Sequence, residues 1–144
     1  VGFGLLLSMP GSPCFFYGDE VGLRAPDNEL ARSPMPWDMA QWDHDWLATC
    51  RRWVHLRSGS PALAHGGFRW VEQSADALAF LRESAGERLL VRATRDRTEP
   101  LQVPLALPGA ADVDRLIGDA TARVADGIVT FAADGPDCTI WRLS

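Results

Sequence analysis

A chain of 144 residues holds one domain, or a small domain with a piece of another, and 47% hydrophobic residues suffice for a packed core. The formal net charge is −5 and all 14 cationic side chains are arginine, so no basic face offers itself to nucleic acid or anionic lipid. Cys14, Cys50 and Cys138 stand far apart with no Cys/His cluster near them, which points to buried free thiols, a reducing, cytoplasmic setting and no zinc site.

Val1–Met9, "VGFGLLLSM", is apolar from its first residue. It lacks the charged leading segment of a signal peptide and stops at Pro10, well short of the ~20 residues of a membrane span. It reads as the tail of a buried helix that starts before this sequence. After a Pro-Gly turn, Ser12–Tyr17, "SPCFFY", is apolar throughout. Such a run predicts a parallel strand covered on both faces, and helix, turn and buried strand together predict an α/β unit. Gly18–Asp43 shows no period and carries Pro26, Pro34 and Pro36. It reads as a long ordered loop, a kind of segment that usually carries function.

A helix follows, capped by Asp43 or Asp45. Trp46, Leu47, Cys50, Trp53 and Val54 make its apolar face, and Gly59 and Pro61 end it. Beyond Ala64–Gly67 the pattern changes to short strand-like segments at Gly67–Gln73, Ala77–Glu83, Arg88–Thr94, Leu101–Leu107, Val113–Gly118, Gly127–Ala133 and Thr139–Leu143. Their spacing predicts an antiparallel β-sandwich.

The sequence "PCFFYGDEVG" raises the first chemical question, since Asp19 and Glu20 leave an apolar run side by side. Adjacent residues of an extended chain face opposite ways, so they do not form a catalytic pair flanking one bond, which needs carboxyls ~5–9.5 Å apart across the substrate. Either they shape a pocket mouth or they anchor a turn. The loop adds Asp27, Asn28, Glu29, Arg32, Trp37 and Asp38. Sugars are held by polar groups at hydroxyl pairs and aromatic platforms under the ring, and this loop supplies both. Asp27, Asn28 and Glu29 also offer calcium ligands, without the spacing of a known calcium loop. Trp46, Trp53, Trp70 and Trp141 are expected in the core. Trp42 either covers the pocket or caps the helix, and Trp37 is the tryptophan singled out for ligand contact.

Four segments in order, "PGSPCFFYGDEVGL", "RSPMPWD", "LRSGSPALAHG" and "ALAFLRESAGERLLV", resemble the end of an α-amylase superfamily enzyme (glycoside hydrolase family 13). The family's eighth-strand segment is matched at Gly11, Pro13, Tyr17, Gly18, Asp19, Glu20 and Gly22, and its following Arg-x-Pro-x-x-Trp segment at Arg32, Pro34 and Trp37. The chain is most similar to the neopullulanase, cyclomaltodextrinase and maltodextrin glucosidase branch, while "RSPMPWD" also resembles α-glucosidases and trehalose synthases.

The resemblance implies an α/β plus all-β chain. Residues 1–65 would be the C-terminal end of a (β/α)8 barrel (end of helix seven, strand eight, long loop, helix eight), and 66–144 a β-sandwich domain. The parent would be a retaining glycosidase acting on α-1,4, and alternatively α-1,6, links of maltodextrins, cyclodextrins or pullulan. Its three cutting carboxylates precede this sequence, so no catalytic residue is assigned here. Tyr17, Gly18, Asp19 and Glu20 would lie at the active-site rim in a structural role. Arg32 matches a family sugar contact, and Asp27 or Asn28 its acidic partner. The partners implied are an α-glucan and the missing N-terminal part of the same chain, with neither nucleic acid nor membrane. No cofactor or metal is implied for this piece, and calcium in an intact parent stays open. The alternatives are an α-glucosidase or trehalose synthase type of enzyme, a non-catalytic carbohydrate-binding or interaction module, and the amylase-like heavy chains of amino-acid transporters, which need an anchor the sequence does not show. A piece of this kind is expected to leave Val1–Tyr17 exposed, and a chain starting at Gly66 is expected to fold alone.

Overall fold

The computed structural model describes residues 1–24, 34–104, 112–132 and 134–144. Among the described residues, three α-helices come first: α1 (Gly2–Ser8), α2 (His44–Gly59) and α3 (Pro61–His65). Asp43 caps α2, its carboxylate accepting from Trp46 N–H at 2.9 Å, and Ser60 caps α3 by accepting from Leu63 N–H at 3.1 Å. Ser60 N-caps α3 while Pro61 takes its first position, where a missing N–H costs nothing. The expected helix ends at Gly59 and Pro61, so α3 is an addition to that expectation.

Among the described residues eight strands follow: β1 (Gly67–Gln73), β2 (Ala77–Ser84), β3 (Glu87–Thr94), β4 (Leu101–Pro104), β5 (Val113–Ile117), β6 (Thr121–Ala125), β7 (Ile128–Ala132) and β8 (Asp137–Leu143). They form a sheet of order β1-β2-β3-β8-β5 and a second of order β4-β7-β6, all neighbours antiparallel. Two layers of antiparallel strands packed face to face make the expected β-sandwich. β6 is an addition to the expected strands; its Thr121–Ala125 is largely exposed.

Both faces of the larger sheet are covered. One face sends Leu81, Leu90 and Trp141 against Val129 and Phe131 of the smaller sheet. The other sends Phe80, Leu89, Val91, Ala93, Cys138 and Ile140 against Leu7, Trp53, Ala62 and Leu63 of the helices. Continuous apolar runs such as "LLV" in β3 follow from this double coverage, which is more familiar in parallel sheets. The change from helix to strand falls at Gly66, and one core cluster draws on both sides of it. The expectation that a chain starting at Gly66 folds alone meets a physical objection here, because such a chain strips the helices from a buried apolar face.

Three other sequence expectations differ from the structure. Ser12–Tyr17 joins neither sheet; Phe16 is 56% exposed, and Cys14 is exposed rather than buried. Phe15 is half-buried, stacked on Phe3 with centroids 4.9 Å apart. Trp70 is 42% exposed because β1 is an edge strand, so its ring leans on Phe68 and Phe80 from one side. On α2, Val54 is exposed and Arg57 is buried, which shifts the packed face from the one read in the sequence.

Candidate functional site

The turn after Ser12–Tyr17 is built from two glycines in the left-handed region. Gly18 has φ +91° and Gly22 φ +74°, and they flank a 3₁₀ turn over Asp19–Val21. Each acid closes part of this turn. Asp19 Oδ2 accepts from Phe16 N–H at 3.0 Å, and Glu20 Oε2 accepts from Gly18 N–H at 2.9 Å. A Cβ at Gly18 would stand 2.7 Å from Leu23 Cδ2, while Leu23 N–H donates to Gly18 O at 2.9 Å. The chain therefore folds back on itself tightly, and both carboxylates are bound to backbone within it. Of the two roles the sequence left open for these acids, their hydrogen bonds belong to the anchored turn.

The turn is fastened to α2. Trp46 Nε1–H donates to Asp19 O at 2.7 Å, and Asp43 N–H donates to Val21 O at 3.0 Å. Trp46 also meets Phe3 edge to face at 5.1 Å. Beneath it, burial raises the pKa of the Cys50 thiol and the nearby charge of Glu20 adds to the shift, so this thiol is a poor nucleophile. Cys138 is pushed up to about 12 by burial. Neither buried cysteine is chemically poised.

The far end of the loop is ordered by its own contacts. Trp42 Nε1–H donates to Pro36 O at 2.6 Å, and Asp38 Oδ1 accepts from Ala40 N–H at 3.0 Å. Trp42 thus ties the loop down as well as preceding the helix. Next to this anchor Trp37 is 82% exposed, and Tyr17, its ring tilted 37° to that of Phe16 at 4.4 Å, is half-exposed. Of the residues singled out in the sequence, Tyr17, Gly18, Asp19 and Glu20 come together in one turn, and Trp37 lies on the tethered loop. Asp27, Asn28, Glu29 and Arg32 lie outside the described residues. No group of three or more acidic, histidine or cysteine side chains able to hold a metal occurs among the described residues.

Sequence reasoning missed a groove of about 870 Å³ between the helices and the β5 edge, lined by Trp46, Arg52, Arg115 and Asp137 among others. Its walls come from positions far apart in sequence, so only the strand order brings them together.

No family model matches the chain. Over 111 residues, 75% of its length, it is 40% identical to the maltogenic alpha-amylase of Bacillus acidopullulyticus, of which it covers 19%. The chain belongs to the α-amylase superfamily. As a member of that superfamily it matches a C-terminal portion of its relatives. A solved cyclomaltodextrinase superposes over 99% of it with TM-score 0.81 at 25% identity, the chain covering 25% of that structure. The amino acid transporter heavy chain SLC3A2 of Mus musculus is 30% identical over 137 residues, which is 74% of this chain and 26% of that protein. The chain thus spans about a quarter or less of each of these relatives.

Proposed function

We propose that this superfamily chain is the C-terminal part of a retaining α-glycosidase acting on α-1,4, and alternatively α-1,6, links of glucans such as maltodextrins, cyclodextrins or pullulan. Residues 1–65 would complete the catalytic barrel and 66–144 would form the sandwich beside it. The likeness to the maltogenic amylase carries the reading, since it extends over three quarters of this chain.

The turn supports it physically. Barrel active sites lie at the carboxyl ends of the strands, and Ser12–Tyr17 runs directly into the Gly18–Gly22 turn. Its exposed Phe16 suits a strand that neighbouring barrel strands would flank. Retaining chemistry needs a nucleophile and an acid/base ~5–5.5 Å apart, one carboxyl attacking the anomeric carbon and the other protonating the leaving oxygen. Asp19 and Glu20 are each committed to a backbone N–H two or three residues away. They fix the floor of the rim, while Trp37 offers a ring face to sugar and Arg32, with Asp27 or Asn28, would hold hydroxyl pairs. The cutting carboxylates belong to the rest of the parent, the chain alone is inactive, and the setting is cytoplasmic.

The test is to recover the full reading frame and follow reducing-end release on cyclodextrin, pullulan, starch and maltose. Turnover on the first three supports this reading. The match to the transporter heavy chain favours a second one, a non-catalytic interaction module. A full-length protein lacking the three barrel carboxylates and releasing no sugar would establish that second reading instead.

A further inference from the structure

Two arginines inside the fold make no ion pair with a carboxylate among the described residues. Arg57, at the end of α2, is 8% exposed, and Arg82, on β2, is 1% exposed. Arg57 Nη1 donates to Leu7 O at 2.6 Å and Met9 O at 3.0 Å, and its Nη2 to Gly11 O at 2.6 Å. Arg82 Nη1 donates to Ser8 O at 2.6 Å, Nη2 to Gly66 O at 3.1 Å and Nε to Gly67 O at 3.2 Å. Among the described residues every partner is a backbone carbonyl. Four of them belong to the last residues of α1 and the exit that follows, where carbonyls lack helical partners and the helix dipole is negative. Burial lowers the pKa of both guanidiniums, and the charge of Arg57 adds to the shift at Arg82; both still stay charged at neutral pH.

We propose that Arg57 and Arg82 are positioning residues that clamp the end of α1 and thereby set the Tyr17–Glu20 turn, a role that rests on the reading of this turn as the rim of a sugar site. The path is continuous. Arg57 holds Gly11, Phe15 stacks on Phe3 of α1, and Phe3 meets Trp46, whose indole N–H holds Asp19. Shifting the end of α1 therefore shifts Phe3 and Trp46, and with them the turn. Lysine cannot replace the arginines, because a point charge on a flexible stem does not present the planar fork that reaches three carbonyls at once.

Hydrogen exchange of two indole N–H groups in the full chain tests this. Trp46 reports the turn. Trp141 Nε1, buried between the sheets and without a hydrogen-bond partner among the described residues, reports the sandwich. Arg57→Lys and Arg82→Lys are each expected to speed Trp46 indole exchange at least tenfold and leave Trp141 unchanged. Equal acceleration of both indoles would mean only global loosening, and an unmoved Trp46 would mean no coupling; either result overturns the proposal. If neither variant folds, the wild type decides. In low denaturant the Trp46 indole and the Met9 amide, which bonds Leu5 O, are expected to open together before the Ile140 amide; independent opening of Trp46 and Met9 overturns the clamp. These readouts need no turnover, so an inactive parent would refute the glycosidase reading and leave the clamp standing.

Discussion

Replacing Trp53 with alanine removes a side chain that joins the helices to the larger sheet. Trp53 is buried in the same cluster as Leu7, Leu63, Phe80 and Ile140. A Cβ added at Gly4 would come within 2.8 Å of Trp53 Cη2 and 2.7 Å of Cys138 Sγ, so α1, α2 and β8 meet at this point with no space to spare. Truncation of a buried tryptophan costs about 3–5 kcal/mol, a large share of the ~5–15 kcal/mol that holds a domain. With a urea dependence of ~2 kcal/mol per molar, the midpoint should fall by roughly 2 M. The neighbouring Val54→Ala, at an exposed position, should stay within ~0.5 kcal/mol. Far-ultraviolet circular dichroism and tryptophan fluorescence would follow helices and sandwich in one titration, and their transitions should coincide in both variants. A loss below about 1 kcal/mol, or a sandwich unfolding at its wild-type midpoint after the helices have gone, would refute a core shared across Gly66.

Gly18→Ala places a Cβ at φ +91° against Leu23, so thermal unfolding should show a loss of about 1–3 kcal/mol, and the fluorescence of Trp46 should change with the turn; a neutral effect would mean the turn is not strained. The buried Cys138 thiol, shifted from an ordinary 9.0 to about 12, stays protonated in the folded chain while the unfolded thiol ionises. Its contribution is complete below pH 9 and is lost as pH rises toward about 12, at up to ~1.4 kcal/mol per pH unit. Denaturation series of the wild type and Cys138→Ala should therefore converge in stability across that window, and parallel curves would count against the burial of this thiol.

Much of the sandwich was legible because strands β1, β2, β3 and β8 carry apolar residues and end in turn sequences. β6 was not, since Thr121–Ala125 has little burial to leave a pattern. The N-terminal half was read through motif as much as through period. Its turn residues Gly18 and Gly22 were visible as glycines, and the bonds from Phe16 and Gly18 to the two acids became visible only with coordinates. Ser12–Tyr17 carries the composition of a doubly covered strand, but burial depends on what packs against it, which composition does not encode. Arg57 was hidden for a related reason. A helical arginine reads as solvated, and only the arrival of α1 from 46 to 50 residues earlier turns it inward. Asp27, Asn28 and Arg32 remain assignments of sequence resemblance.

The central claim is that the acids of this chain shape a site and do not cut. Incubating the purified 144-residue chain with soluble starch and cyclodextrin, and quantifying reducing ends, tests it most directly. The account predicts release no greater than the blank from this chain, and release from a full-length parent. Release by the chain alone that disappears in Asp19→Asn or Glu20→Gln would contradict it.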